Sequence, residues 1–164
     1  MLASKYGANI VHVPEFLSED TWKKDSEWSD IVVIGSDDKK IGDDVLGIFK
    51  GRYKGAEFIY TDSTTAEMIK YAINCFYATK VVYANQVADY AEKVGANYTT
   101  IKKAMYARAW IGKNHLEIWH KGGRGSGGHC LEKDLEAFTE ATKSALLKVA
   151  NDLNKQLLKQ YPKT

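Results

Sequence analysis

The segment from Thr64 to Val94 contains neither glycine nor proline, so no helix-breaking residue interrupts it. Its apolar side chains recur at spacings of three and four residues, as in an amphipathic helix: Met68, Ile69, Ala72, Phe76, Thr79, Val82, Tyr83 and Val87. Thr64 or Thr65 is the expected N-cap, and Gly95 is the expected stop. At about 1.5 Å per residue the helix would be roughly 45 Å long. One small domain cannot cover that length, so we expect part of its apolar face to pack against another subunit.

Short β-branched runs precede this helix. The stretches "ANIVHV", "DIVVIG" and "EFIYTD" are typical of buried parallel strands. Between the last two, "KKIGDDVLGIFKGRY" has the apolar spacing of a short helix. This order predicts a β-α-β unit, which is half of a nucleotide-binding sheet. We therefore expect residues 1–62 to form the C-terminal part of a Rossmann-like domain.

Further helices are predicted after the long one. "NYTTIKKAMYAR" indicates a short helix, and a last long helix is expected from Leu131 to Tyr161. The predicted fold class is therefore α/β. A partial Rossmann-like parallel sheet would be followed by a mostly helical domain, residues 63–164, with a long central helix.

Composition excludes several classes of function. Lys and Arg number 23 and Asp and Glu 21, a net charge of +2, so nothing favours a nucleic-acid partner. No apolar stretch reaches the length of a membrane span, and no membrane partner is expected. Two cysteines are too few for a disulfide framework, which favours a reducing cytoplasmic compartment. His115, His120 and His129 lack the spacing of metal ligands, so no metal site is predicted.

Cys130 follows a glycine-rich loop, residues 122–128, and directly precedes a helical pattern. Glycine amides can approach a ligand closely, and the start of a helix stabilises a thiolate. Lys133 and Asp134 follow one helical turn later, which would group a nucleophile, a cation and a carboxylate. From the spacing alone, an inert thiol at a helix start is an equal alternative. Cys75 lies among apolar residues of the long helix and is predicted to be core.

Three stretches occur in a particular order: "VPEFLSED", then "EMIKYAINCFYATKVVYANQVADYAEKVGA", then "GGHCLEKD". They resemble, in the same order, the N-P-E-F-L-x-E segment, the central helix with its K-x-x-x-N signature and the G-G-x-C-x-x-K-D motif of the UDP-glucose/GDP-mannose 6-dehydrogenase family. The chain departs from that pattern at Val13, where the family has asparagine. It also has Trp110 where the family has an arginine before Ile-Gly.

The resemblance implies oxidation of the primary alcohol of a nucleotide sugar to a carboxylate in two steps, as from UDP-glucose to UDP-glucuronate. Cys130 would be the nucleophile, holding the aldehyde as a thiohemiacetal and then as a thioester. Lys70 would stabilise the alkoxide and oxyanion, and Asn74 would hydrogen-bond the substrate or a water molecule. Asp134 would act as general base or orient the water, and Glu15 would take part in thioester hydrolysis.

The resemblance also implies binding groups and partners. The residues implied in substrate binding are Phe16, Leu17, Glu19, Lys133, Gly127 and Gly128. The implied substrate is a UDP- or GDP-sugar, and the implied assembly is a homodimer through the long central helix.

NAD is the implied cofactor, yet no G-x-G-x-x-G follows the first predicted strand. The NAD-binding residues are therefore unknown. The chain is expected to be a truncated, inactive portion of the enzyme, made of the end of its NAD-binding domain and its central domain. The alternative is a non-catalytic dimerisation or nucleotide-sugar-binding module derived from the same family.

Overall fold

The computed structural model of this chain describes residues 10–17, 21–112, 114–128 and 130–162. A small sheet is followed by a series of helices, which confirms the predicted α/β fold class. Among the described residues, no helix is both long enough and apolar enough to cross a bilayer.

The chain divides into two compact units, Met1–Ala72 and Ile73–Thr164. The first unit contains a sheet and the start of the longest helix. Its elements in chain order are β1 (Val11–His12), α1 (Trp22–Glu27), β2 (Ile31–Ser36), α2 (Lys39–Arg52), β3 (Glu57–Thr61) and the beginning of α3 (Ser63–Lys93). The second unit is helical. It comprises the rest of α3, followed by α4 (Tyr98–Ala107), α5 (Leu131–Thr142) and α6 (Ala145–Gln160).

The sheet has the spatial order β1-β2-β3 in the described part of the chain. β3 runs parallel to β2, with Ile31 opposite Glu57, and α2 connects them, so the predicted β-α-β unit is confirmed. β1 instead pairs antiparallel with β2, with Val11 opposite Ser36. The prediction that β1 is a parallel strand was therefore wrong. A β-branched run indicates a strand but not its direction, which depends on the path of the connecting chain.

The core of the first unit lies along β2, where Val32, Val33 and Ile34 are almost fully buried. Gly35 follows them because α3 passes close to the strand. A Cβ atom at Gly35 would lie 2.4 Å from the Cβ of Ala66, a distance that side chains cannot adopt. The absence of a side chain therefore lets the first turn of α3 pack against the end of β2.

Helix α3 confirms the predicted long helix, and α4 confirms the predicted short one. The N-cap of α3 is Asp62, whose carboxylate accepts the N–H of Thr65 at 2.8 Å, so the prediction of Thr64 or Thr65 was wrong. At the other end Gly95 adopts a φ of +74° and donates its N–H to the carbonyl of Glu92. The predicted stop at Gly95 is confirmed.

The buried face of α3 in the second unit covers only part of the predicted apolar face. It consists mainly of small residues: Cys75, Ala78, Val82, Ala84, Ala88 and Ala91. Phe76 and Tyr83 belong to the predicted apolar face and are 61% and 58% exposed in one chain. Because alanine admits close approach of a neighbouring helix, the small residues face the core and the rings remain outside.

The single long helix predicted at the C-terminal end is wrong. α5 ends at Thr142, and α6 begins at Ala145. Between them Lys143 adopts a left-handed φ of +54°, which ends the first helix. Ser144 then caps α6 by accepting the N–H of Leu147 at 3.4 Å. The apolar periodicity continues across this break and so concealed it.

Candidate active site

Lys70 and Glu15 form an ion pair in the first unit. Glu15 lies in the segment after β1, where its Oε2 accepts the N–H of Leu17 at 2.7 Å. Lys70 projects from α3, with its Nζ 3.2 Å from Glu15 Oε1, and it also donates to the main-chain carbonyl of Glu15. The same Nζ lies 5.3 Å from the centre of the Phe16 ring, within cation–π range. Three predicted site residues, Lys70, Glu15 and Phe16, are thus in contact.

This pair is partly open to solvent. The side chain of Lys70 is 18% exposed and that of Glu15 is 54% exposed. An ion pair so accessible contributes only about 0–1 kcal/mol to stability, so little is lost when a ligand rearranges it. An ammonium in this setting can stabilise a developing oxyanion. Leu17 is 40% exposed beside it, whereas Glu19 lies outside the described residues.

Asn74 and Asp134 form a buried pair in the second unit. Each residue is 5% exposed, and Asn74 Nδ2 donates to Asp134 Oδ2 at 2.6 Å. Asp134 lies in the first turn of α5, where the helix dipole favours a carboxylate. Lys133, with a side chain 73% exposed, places its Nζ 3.5 Å from the other oxygen of Asp134. The carboxylate is therefore held in one orientation, as a general base requires.

Cys130 is exposed and not in a disulfide, at the start of α5. Its thiol makes no capping hydrogen bond to the helix, while its carbonyl accepts the N–H of Asp134 at 2.9 Å. The sulfur is thus accessible one helical turn before the buried carboxylate. This arrangement can support nucleophilic chemistry at an electrophilic carbon.

Cys75 is 3% exposed and packs with Ala78 and Leu135, which confirms the prediction that it belongs to the core. Burial raises the pKa of the Cys75 thiol to about 11, and the charge of Asp134 adds to the increase. Its Sγ donates to the main-chain carbonyl of Asp134 at 3.5 Å. A thiol that stays protonated to such a pH is not a nucleophile at neutral pH.

The glycine loop, residues 122–128, needs its glycines for both conformation and space. Gly122, Gly125 and Gly128 have φ values of +75°, +91° and +96°. A Cβ at Gly125 would also lie 3.1 Å from Asn154 Oδ1. Alanine at that position would therefore be strained in its backbone and crowded by its neighbour.

Sequence reasoning missed a polar network around this loop. Arg124 is 6% exposed, and it donates from Nε to Asn85 Oδ1 at 2.7 Å and from Nη2 to the Asp89 carboxylate. Asn154 accepts the N–H of Ser126 at 2.7 Å and donates to its carbonyl at 3.1 Å. The available signals were an arginine within a glycine run and two asparagines, Asn85 and Asn154, each three residues from an apolar position of its helix. Buried polar groups at such positions need partners.

His120 pairs through its backbone with Gly123 of the glycine loop, with its N–H donating to the Gly123 carbonyl at 2.9 Å. The His115 ring stacks on Tyr77 with centroids 4.0 Å apart, and burial, with a smaller effect from the Lys80 charge, lowers the pKa of His115. His129 lies outside the described residues. Within the described ranges, no group of three or more His, Cys, Asp or Glu side chains could hold a metal ion.

The described residues do not fit the pyrophosphate of NAD. After β2 the chain continues with Asp37 and Asp38, which repel an anion, instead of a glycine turn. Gly123, Gly125 and Gly128 have the spacing G-x-G-x-x-G, but no strand precedes them in the described part of the chain. The strand–turn–helix geometry that gives that spacing its meaning is therefore missing at this loop.

Comparison with known proteins identifies one family. The family model described as UDP-glucose/GDP-mannose dehydrogenase family, central domain, matches residues 64–157. The UDP-glucose 6-dehydrogenase of Rickettsia conorii is 34% identical over 156 residues, which are 92% of this chain and 35% of that protein. The chain spans about a third of the length of the curated relatives it matches.

Solved structures give the same result. A UDP-glucose dehydrogenase from Pyrobaculum islandicum superposes with a TM-score of 0.80 at 29% identity, covering 90% of this chain and 34% of that one. A ternary complex of GDP-mannose dehydrogenase from Pseudomonas aeruginosa gives a TM-score of 0.59 at 28% identity, covering 98% and 37%.

Proposed function

Because the chain belongs to the UDP-glucose/GDP-mannose dehydrogenase family, we propose that it supplies catalytic residues to an NAD-dependent nucleotide-sugar 6-dehydrogenase. The reaction would oxidise the primary alcohol of a UDP- or GDP-sugar to the carboxylate. NAD would accept both hydrides, and no described residue is assigned to it. Residues 1–62 would belong to the NAD-binding domain and residues 63–164 to the central domain. The observation that carries the proposal is the exposed thiol of Cys130, one helical turn from the buried Asn74–Asp134 pair.

Cys130 would hold the substrate carbon between the two oxidations. Its thiolate adds to the carbon of the aldehyde, and the carbonyl oxygen takes up a proton to give a thiohemiacetal. Loss of the second hydride and of that proton leaves a thioester. Water then attacks the thioester, and the carbon–sulfur bond breaks to release the carboxylate and the thiolate. In sum, the alcohol, one water and two NAD give the carboxylate, two NADH and three protons.

The remaining catalytic residues would manage charge and water. Lys70 would stabilise the negative oxygen of the alkoxide and of the tetrahedral stages, since a fixed ammonium is most effective where charge develops. Glu15, 3.2 Å from that ammonium, would assist thioester hydrolysis. Asp134, oriented by Asn74, would position or deprotonate the attacking water.

Substrate contacts would come from the segment after β1 and from the approach to α5. Phe16 and Leu17 would contact the sugar nucleotide, partly through the backbone, and the exposed ammonium of Lys133 suits a diphosphate. The full set proposed for binding is Phe16, Leu17, Glu19, Lys133, Gly127 and Gly128.

A homodimer through α3 is part of the proposal. The exposed rings of Phe76, Tyr83 and Tyr90 are 61%, 58% and 65% accessible and recur at seven-residue intervals along the helix. Tyr90 also lines an apolar groove of about 430 Å³, together with Val87 and Val94. Aromatic side chains are enriched at protein interfaces, and their exposure in one protomer supports a covering subunit.

The catalytic proposal is tested with the 6-aldehyde of UDP-glucose, which reaches the thiol step without a hydride acceptor. Incubation with this aldehyde is expected to protect Cys130 from iodoacetamide, as measured by peptide mass spectrometry. Cys130→Ser removes the protected site, and the buried Cys75 should stay unmodified with and without the aldehyde. Equal alkylation of Cys130 with and without the aldehyde would contradict the proposal. Binding of UDP-glucose without such protection would favour the non-catalytic module instead.

A second assay concerns the cofactor. The 164-residue chain mixed with NAD and UDP-glucose or GDP-mannose is expected to form no NADH, because its described residues form no dinucleotide loop. NADH above background would show that this chain supplies its own NAD site.

A further inference from the structure

Arg124 is a buried arginine inside a loop of glycines. Its Nε donates to Asn85 Oδ1 at 2.7 Å, and its Nη2 donates to the Asn85 carbonyl at 3.3 Å and to the carboxylate of Asp89. Both partners lie on α3. Because the guanidinium is planar and its donors are fixed relative to one another, these bonds set the orientation of Arg124 as well as pairing its charge.

Aromatic rings enclose the same guanidinium. Its carbon lies 4.8 Å from the centre of the Tyr161 ring and 5.9 Å from that of Trp119, and the two rings meet edge to face at 5.5 Å. The main-chain N–H of Arg124 donates to the Tyr161 carbonyl at 3.1 Å. Residue 124 is therefore held by α3 and by the residue that follows α6.

Asn154 holds the next part of the loop. It is fully buried on α6, and its side-chain amide pairs with both the N–H and the carbonyl of Ser126. One amide thus satisfies both backbone groups of a loop residue, as a neighbouring strand would. Gly125 lies between the two anchors and packs so closely on Asn154 that a Cβ would meet its Oδ1 at 3.1 Å.

These anchors act on a segment that would otherwise be flexible. Glycine loses more conformational freedom on ordering than any other residue. If ligand binding must order one such residue, the entropy lost weakens the affinity by about tenfold. A loop that is ordered beforehand spares the ligand this cost. Gly127 and Gly128, which we assign to substrate binding, follow directly after the anchored residues, and Cys130 comes two positions later.

We propose that Arg124 and Asn154 are positioning residues, which hold the glycine loop in its ligand-binding conformation before the sugar nucleotide arrives. They act through the loop and touch neither the substrate nor the reacting sulfur. The identity of the ligand rests on the proposed function, whereas the ordering of the loop is measurable without any ligand.

The test compares Arg124→Met and Asn154→Ala with the natural chain. Amide hydrogen exchange of peptides covering residues 122–128 is expected to be about tenfold faster in both variants, with exchange in the middle of α3 unchanged. The dissociation constant for UDP-glucose, from calorimetry on the folded protein, is expected to rise by about tenfold. Urea unfolding measured in parallel reports the global stability of each variant.

Lys155→Met is the matched control. Lys155 adjoins Asn154 on α6 but is exposed and pairs with Glu136, so loop exchange and affinity should remain at the natural values. Arg124→Lys keeps a cation for Asp89, and Asn154→Asp keeps an acceptor for the Ser126 N–H. These conservative variants should give intermediate exchange rates, and they also serve if the larger changes prevent folding.

A purely structural role would lower the urea midpoint without changing loop exchange or the affinity of the folded protein, and that result would overturn the inference. If the natural chain binds neither UDP-glucose nor GDP-mannose, the substrate assignment of the proposed function fails. Loop exchange then decides the positioning role by itself: faster exchange supports it, and unchanged exchange refutes it.

Discussion

At the scale of single residues, the two thiols illustrate how surroundings determine reactivity. Cys130 is exposed at the start of α5, whereas Cys75 is 3% exposed in a cluster with Ala78 and Leu135. Burial, and secondarily the charge of Asp134, raises the pKa of Cys75 to about 11. Cys75 is therefore unreactive towards electrophiles for two reasons: its sulfur is inaccessible, and its thiol stays protonated at neutral pH.

We expect iodoacetamide at about pH 8 to alkylate Cys130 in the native protein and to leave Cys75 unmodified, because only an accessible thiolate reacts. Mass spectrometry of the peptides containing each cysteine measures the two extents. In urea both thiols should react. Comparable labelling of Cys75 in the native protein would contradict its assignment to the core.

The same pKa shift predicts an alkaline loss of stability. The Cys75 pKa is raised in the folded state from 9.0 to about 11, so between these values the unfolded chain loses a proton that the folded chain keeps. The unfolded state then binds fewer protons, and stability falls as pH rises through this window, by at most about 3 kcal/mol. Below pH 9 the contribution is fully present.

Urea midpoints measured from pH 8 to 10.5 test this linkage. Cys75→Ala is expected to be less stable than the natural chain at pH 8, because a buried sulfur is lost. Between pH 8 and 10.5, however, the stability of Cys75→Ala should decline less than that of the natural chain. An identical decline in both proteins would show that other groups cause the alkaline loss.

Substitutions of Asp134 separate the effect of its hydrogen bond on stability from the effect of its charge. Asp134→Asn can keep the hydrogen bond from Asn74, so its free energy of unfolding should change by less than about 1 kcal/mol. Asp134→Ala leaves the buried Asn74 amide without this acceptor and should lose about 1–3 kcal/mol. Chemical denaturation checks both values. Equal losses in the two variants would mean that charge, and not the hydrogen bond, stabilises the pair.

At the scale of elements, helix ends were less predictable than helices. α3 and α4 follow from their apolar periodicity, and the stop at Gly95 follows from its freedom to adopt a positive φ. The break at Lys143 was missed because no residue pattern predicts a left-handed backbone at a lysine. Only Ser144, a common N-cap residue, indicated that a new helix begins there. Local preferences thus determine where helices form better than where they end.

Gly95→Ala should therefore destabilise the chain by about 1–2 kcal/mol through its left-handed backbone. Apart from residue 95 and its two chain neighbours, no atom of the described residues lies within 4 Å of the position that the new Cβ would occupy, so the effect is conformational and not steric. Gly95→Asn is the control, since asparagine tolerates this conformation, and its loss should be smaller. Urea denaturation followed by circular dichroism measures both. An alanine variant as stable as the natural chain would contradict the helix ending described above.

At the scale of the whole molecule, the exposed aromatic residues of α3 predict self-association. Light scattering after size exclusion is expected to give twice the chain mass of 18.4 kDa. Tyr83→Glu places a charge among Phe76 and Tyr90 and should shift the protein to the monomer, whereas Lys148→Glu on the exposed side of α6 should not. A natural chain that is monomeric at high concentration would overturn the proposed dimer.

The amino-acid sequence by itself determined the long helix, the β-α-β order, the core position of Cys75 and the family, because each depends on residue types within short, ordered stretches. Tertiary structure alone decided the direction of β1, the pairing of Lys70 with Glu15 and of Asn74 with Asp134, and the burial of Arg124. Those pairs are separated by 55 and 60 positions. Periodicity reports which face of an element is apolar, but contacts at such separations depend on the path of all the intervening chain.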